Sequence, residues 1–394
     1  MKTLIISGFF RVFLQCLALF ALLLPEYGAG HDWWLASAPA DVAVKPDRVR
    51  LQLLLDTAVR EGLPGVSLSV RGPGIDFQGA AGVANWSTGE VLTTNHALYT
   101  ASLGKTFTAT LALQLCEQGH LDLNTPITTW VAPDKAERIS SSGRITLQHL
   151  LSHTSGLLDY MNDLKDWRSD FARNPHRRWT HDDVIPYIYD RPVLFEPGTD
   201  YHYSNSNYIL IGHIIEQVLQ QPLHALIRQR ILIPVGMRYT YNGQEDVGDR
   251  DRAHGYIDRR ARIIDTFPWY SHYGLADSGL FTTPGDLTLF IESLFKSEKL
   301  ISESMRTRMT TATSAGYPPS DYGMGIYIQQ NPWGAGHIWY THDGIDPGYQ
   351  TDMMYLPVRD LIIVLSANAS LGKANIRYER LIRAVVEAAL QAVR

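Results

Sequence analysis

Apolar residues recur at two different spacings along this chain, and the alternation between them divides it into parts. Asp47 to Glu61 repeats apolar positions at helical spacing and predicts a helix. Two alternating runs follow, PGVSLSVRGPG and IDFQGAAGVAN, joined at Gly-Pro-Gly; they predict a β-hairpin. Residues 102–118 predict a helix that is apolar or small on every face, and such a helix is buried. From Asn124 to Gly248 the pattern is mostly helical with long polar loops, and SNYILIGHIIEQVLQQPL is its clearest helix. TTPGDLTLFIESLFK predicts another, with Pro284 near its first turn. Period-two runs then return in YGMGIYIQQ, GHIWYTHDG, YQTDMMYLP and DLIIVLSANAS, and ANIRYERLIRAVVEAALQAV closes the chain as an amphipathic helix.

Strands at both ends and helices between them predict an α+β fold. We expect an antiparallel sheet flanked by helices, built from about 45–120 and 250–394, with an inserted all-helical part at about 121–249. Residues 31–394 then form one domain with a cleft at the seam.

Charge and cysteine content narrow the setting. The net charge is -5 and the basic residues are scattered, which argues against nucleic acid as a partner. Lys2 and Arg11 precede an apolar run, Val12 to Leu24, that ends at Pro25 and is followed by Gly28, Ala29 and Gly30. This predicts a signal peptide over residues 1–30 cleaved near Gly30, a secreted or periplasmic product, and no stable membrane span in the mature form. An uncleaved anchor that includes Leu4 to Phe10 is the alternative. Cys16 lacks a lipobox before it. Only Cys116 is left after cleavage, in the apolar run LALQLCEQ, so no internal disulfide is expected and Cys116 reads as a core residue.

The tetrapeptide SLGK occurs twice, at Ser102–Lys105 and Ser370–Lys373. A serine three residues before a lysine on a helix can be an activated nucleophile, because the two side chains share a face. The first copy opens the helix that is apolar all round, where burial and the helix N-terminus both lower a lysine pKa. The second opens a helix with Arg377, Glu379, Arg380 and Arg383 on a wet face, so Ser370 is expected as its N-cap. A third pair, Ser293 and Lys296, lies inside an amphipathic helix.

Two further stretches complete a constellation. FEPGTDYHYSNSNYILIG contains Tyr203-Ser204-Asn205, and THDGIDPGYQ contains His342-Asp343-Gly344. With LLSHTSGL at 150–157, these resemble the serine β-lactamase and D-Ala-D-Ala carboxypeptidase family, specifically class C β-lactamase-like serine hydrolases with a His-x-Gly third motif. The likeness runs from about Leu63 to Ala369. It implies Ser102 as nucleophile with Lys105, Tyr203, Asn205 and His342 as catalytic partners. It implies an oxyanion site at the Ser102 and Ile345 N–H groups beside Gly344, with a substrate strand along that edge. Tyr203 is expected to accept the serine proton if the ammonium lowers its pKa.

The third motif departs from Lys-Thr-Gly. A histidine of ordinary pKa, about 6.5, is only partly charged at neutral pH. Asp343 adds a negative charge in the middle position, so an anionic substrate tail is less welcome. The expectation is a secreted acyl-enzyme hydrolase of D-amino-acid-containing peptides, amides or esters, including peptidoglycan fragments or β-lactams. A β-lactamase and a non-turnover peptidoglycan-binding scaffold are the alternatives. No cofactor is implied. His149 and His153 have a metal-like spacing but no third ligand, so no metal is expected. Tyr160, Trp269, Tyr270, Trp333 and Trp339 are candidates to line the cleft, Tyr160 as a substrate-binding residue. Neither a Gly-x-Ser-x-Gly elbow nor a phosphate-binding glycine loop occurs.

Overall fold

The structure, a computed structural model, describes residues 48–245, 251–259, 262–312, 320–330, 332–333 and 336–393. The expected leader over residues 1–30 lies outside them.

The predicted hairpin forms from β1 (Gly65–Gly72) and β2 (Ile75–Asn85), which pair antiparallel from Gly65 opposite Gly82 to Gly72 opposite Ile75. β3 (Glu90–Val91) adds to the outer edge. Two short units sit between the ends of the chain. β4 (Leu98–Tyr99), β5 (Tyr241–Asn242) and β8 (Leu280–Thr282) form a small sheet in the order β4-β8-β5, and β6 (Tyr256–Arg259) pairs with β7 (Arg262–Asp265). The C-terminal strands are β9 (Ser320–Tyr322), β10 (Tyr327–Gln330), β11 (Ile338–Asp346), β12 (Tyr349–Leu356) and β13 (Leu361–Ala367). The main sheet runs β3-β2-β1-β13-β12-β11-β10-β9, so β1 from one end of the chain lies against β13 from the other.

The long helices are α1 (Arg48–Arg60), α2 (Gly104–Glu117), α3 (Asn205–Leu219), α4 (Pro284–Phe295) and α5 (Lys373–Ala392). β12 and β13 are buried at every residue because helices cover both faces of the sheet. α1 and α5 cover one face with Leu51, Leu55, Leu381, Ile382, Val385 and Val386. The opposite face meets α4 and the helical middle of the chain, with α2 buried from Gly104 to Leu115 at the centre. No described helix is long and apolar enough to cross a membrane.

Two expectations change here. Ser370 is not an N-cap, since α5 begins only at Lys373. Positive φ at Leu371 (73°) and Gly372 (57°) turns the chain first. The Ser370 hydroxyl instead donates to the Asp346 carbonyl (2.5 Å) and accepts from the Gly348 N–H (2.8 Å), fastening the β11–β12 turn. Trp339 and Trp333 pack with Met354 and Tyr378 under α1 and α5, not in the cleft. Strand alternation explains Trp339, which faces away from Tyr340 and His342. Lys296 of the third serine–lysine pair forms a surface ion pair with Asp360 at 2.6 Å.

Candidate active site

Ser102 sits on a short 3-10 turn, Ala101–Leu103, that leads directly into α2. Ala101 has φ 48°, a left-handed conformation that costs an alanine on the order of 1 kcal/mol. Gly104 follows because a Cβ there would strike the Ser278 carbonyl oxygen. The first turn of α2 is thereby pressed onto the backbone of Asp277 and Ser278. Lys105, fully buried, uses this contact: its Nζ donates to the Asp277 carbonyl (2.7 Å), to Asn205 Oδ1 (2.6 Å) and to Ser102 Oγ (3.1 Å). Three acceptors satisfy an ammonium completely. Burial lowers the Lys105 pKa, while the carboxylates of Asp277, Asp159, Asp346 and Asp343 oppose the shift. The Ser102 contact is the reversible one, because a neutral amine there can accept the hydroxyl proton.

Asn205, the first residue of α3, is aimed by its other end: Nδ2 donates to Asp159 Oδ2 at 2.9 Å. Asp159 is itself held by the Met161 N–H (2.8 Å) and Asn162 Nδ2 (2.6 Å). Tyr203 lies half-buried two residues before Asn205. Its phenol lacks the lowered pKa that acceptance of the serine proton would require. Burial pushes it well above the ordinary value, with the hydrogen bond to Ser102 pulling the other way. The ammonium faces the tyrosine ring, 5.1 Å from its centroid, instead of its oxygen. Tyr203 is therefore a neutral phenol at rest. His153 stacks on the Tyr203 ring at 4.2 Å, and its Nδ1 accepts from the Ser204 N–H at 3.2 Å. His149 does separate work in a capping box with Thr146, so the two histidines are structural.

His342 departs from expectation in the same sense. It is 1% exposed, and burial followed by the Lys105 charge lowers its pKa to about 3. It is neutral, not partly charged, at pH 7. Nδ1 lies 2.7 Å from the Asp343 carbonyl and Nε2 3.2 Å from the Tyr322 hydroxyl, which assigns the proton to Nδ1. Gly344 is required by contact: a Cβ would land on the Thr100 carbonyl oxygen, with the Leu103 nitrogen just behind. The β11 backbone thus docks on the turn that carries Ser102, and Ile345 comes next. Among the described residues β10 pairs with β11 only from Ile338 to Thr341, so the edge from His342 to Asp346 opposite β12 has no strand paired to it there.

Asp343 points the other way along the pleat. It lies directly opposite Asp352 of β12, on the face toward Tyr378 of α5. Burial raises Asp343 to about 6; burial and then the Asp343 charge raise Asp352 to about 8. Asp352 therefore keeps its proton at neutral pH. Between the unfolded carboxyl pKa of about 4 and the folded value, the folded chain binds more protons than the unfolded one, so this site loses stability as pH rises. Asp352→Asn is expected to become more stable relative to wild type from pH 5 to pH 8, measured as the difference in Tm at each pH.

A model of the β-lactamase family matches residues 51–387 of this chain. The chain belongs to the β-lactamase family. It is a serine hydrolase of the β-lactamase and penicillin-binding protein kind. It is 27% identical over 336 residues to penicillin-binding protein 4* of Bacillus subtilis, covering 81% of this chain and 71% of that one. The D-amino acid amidase of Ochrobactrum anthropi SV3 superposes with a TM-score of 0.74 at 25% identity, over 86% of this chain and 98% of the amidase. A D-stereospecific amidohydrolase from Streptomyces gives 0.71 at 26% identity, over 86% and 98%. Some curated relatives are longer, and this chain spans 64% of the penicillin-binding protein PbpX of Bacillus subtilis.

In this β-lactamase-family chain Ser102, Lys105, Tyr203 and Asn205 come together, with His342, Gly344 and Ile345 on the strand beside them. Tyr160 does not line the cleft. It is fully buried, with its hydroxyl 2.7 Å from both Asp277 Oδ2 and Tyr273 Oη. Tyr270 is likewise core, stacked on Tyr99 at 4.4 Å, and Trp269 packs on the same cluster. Cys116 keeps its proton, since burial raises its pKa to about 12. Asp159, Asp277 and Tyr322 carry no motif that marks them in the sequence. Asp352 had a signal, a carboxyl at a core position of the apolar run YQTDMMYLP. Tyr203→Phe is expected to lower kcat for an amide by about 10²–10⁴-fold with little change in Tm, checked by steady-state kinetics.

Proposed function

We propose that this serine hydrolase cleaves amide, peptide or ester bonds of D-amino-acid-containing substrates through an acyl-Ser102 intermediate. The observation that carries the reading is the contact of Ser102 Oγ with a fully buried Lys105 of lowered pKa, beside a neutral His342. The amine form of Lys105 takes the hydroxyl proton as Oγ bonds to the substrate carbonyl carbon. The oxyanion is received by the Ser102 and Ile345 N–H groups, each worth about 2.7–4 kcal/mol of barrier. Tyr203 gives its proton to the leaving group as the scissile bond breaks and regains one from the Lys105 ammonium. Water then repeats the sequence on the ester, with the proton path reversed.

The D-amino-acid class is supported by the likeness to the D-amino acid amidase and the D-stereospecific amidohydrolase. A neutral His342, in a site whose nearest charges besides Lys105 are carboxylates, suits substrates without an anionic tail. This favours an amidase or esterase over a carboxypeptidase or β-lactamase. The apolar N-terminal run supports an extracytoplasmic enzyme. The scaffold alternative is disfavoured by the intact Ser102, Lys105, Tyr203 and Asn205.

The test compares kcat/KM for D-phenylalanine amide, its L antipode, D-Ala-D-Ala and the chromogenic cephalosporin nitrocefin. We expect the D-amide to exceed the L-amide by at least about tenfold, the sort of ratio one misplaced substituent gives, and to exceed nitrocefin. Faster turnover of nitrocefin than of any amide would make the enzyme a β-lactamase. Wild-type rates equal to those of Ser102→Ala on every substrate would leave the scaffold.

A further inference from the structure

The edge of β11 beyond β10 carries a carboxyl, Asp346, with no partner among the described residues. Gly344 packs on Thr100 and Leu103, so the strand face that holds His342, Gly344 and Asp346 is the one turned to the nucleophile. Asp346 lies two residues beyond Gly344, about 7 Å along the strand and on the side away from His342. Its side chain is half-buried and makes no hydrogen bond or ion pair among the described residues. Lys105, the cation in the site, already has three acceptors. A second group beside it also lacks a partner among the described residues: the Tyr99 hydroxyl, on a residue 1% exposed, makes no hydrogen bond of ordinary geometry there, and Asp346 is the charge that bears on it most.

The direction in which a substrate lies follows from the proposed function, on which this inference rests. Tyr203 and His342 both pack against Tyr322, so the leaving group departs toward that end of β11. The acyl half of the substrate then extends past the oxyanion site toward Asp346. The geometry points to Asp346 as the specificity residue that receives the α-ammonium of the acyl group, so that the preferred substrate is an amide or short peptide whose D-residue carries a free amine. An N-acylated residue brings no charge to pair with the carboxylate, and a substrate carboxylate there is repelled.

The groups facing Asp346 are Tyr99 of β4, Tyr270, Asp277 of the 271–279 loop and Lys105 of α2. Burial and the Asp277 charge raise its pKa to about 7, against the pull of Lys105. An α-ammonium is charged below about 8. Both partners are therefore ionised in a window near pH 7–8, and kcat/KM for a free-amine substrate should peak there. The N-acetyl substrate should lack that peak.

The experiment measures kcat/KM for D-alanine p-nitroanilide and N-acetyl-D-alanine p-nitroanilide on wild type and Asp346→Asn, with p-nitrophenyl acetate as an acyl donor that has no amine. Wild type should prefer the free amine, and the ratio of the two anilides should fall about 10- to 100-fold in Asp346→Asn, as expected when a charged hydrogen bond is lost. The wild-type ratio stands as a test even where the variant folds poorly. A ratio of one or below in wild type, or one unchanged in a folded Asp346→Asn, overturns the inference. Turnover of p-nitrophenyl acetate that depends on Ser102, with both anilides inert, also overturns it and leaves the serine hydrolase reading standing. Inertness toward all three overturns both.

Discussion

Ser102→Ala is expected to lose about 10⁴–10⁶-fold in kcat on a p-nitrophenyl ester, the range seen when a nucleophile is removed from a unit that acts together. The fold should survive, because Ser102 is only half-buried and Lys105 keeps its other two acceptors, Asn205 and Asp277. Circular dichroism and Tm check that survival. Ser370→Ala, in the identical tetrapeptide, should behave differently. It unfastens the Asp346 carbonyl and the Gly348 N–H, a loss of about 1–3 kcal/mol of stability. Acylation at Ser102 should persist in it. The two copies of one tetrapeptide thus separate into a chemical effect and a structural one.

The second large effect is expected from Gly344→Ala. One added methyl meets the Thr100 carbonyl oxygen, which belongs to the turn that presents Ser102. Neither backbone can yield alone, since β11 is held by β12 over Tyr340–Asp346 and the turn runs straight into buried α2. Overpacking of this kind costs about 1–3 kcal/mol of stability. Moving the Ile345 N–H off the oxyanion position proposed for it should cost about 10²–10³-fold in kcat. Tm and kcat should fall together. An active, stable Gly344→Ala enzyme would mean that β11 does not supply an oxyanion donor.

Much of this was written locally in the sequence. Period-two and helical spacing placed the hairpin, α3, α4 and the last strands, because each buries one clear face or two. The choice between the SLGK copies was legible too, since one helix is apolar all round and the other has a wet face. What spacing could not carry was the environment of each titratable group. The low pKa of His342 comes from burial beside Tyr322 and Tyr327 and then from the Lys105 charge, and the high one of Tyr203 comes from burial against His153 and Tyr322, side chains that converge from separate segments. Asp277 reaches the site through its carbonyl, which accepts from Lys105, while its carboxyl binds Tyr160 and Tyr273 in the core. Nothing in the residues around it announces either contact. Tyr160 and Trp339 misled for the same reason: an aromatic near a motif is core or cleft according to packing that only the assembled layers decide.

The central claim is that Ser102, activated by Lys105, is the nucleophile. It is tested most directly by acid-quenching the enzyme during turnover of a p-nitrophenyl ester and locating the acyl group by peptide mass mapping. The account predicts the added acyl mass on Ser102 alone, and none in Ser102→Ala. Acyl mass on Ser293 or Ser370, or undiminished turnover by Ser102→Ala, would contradict it.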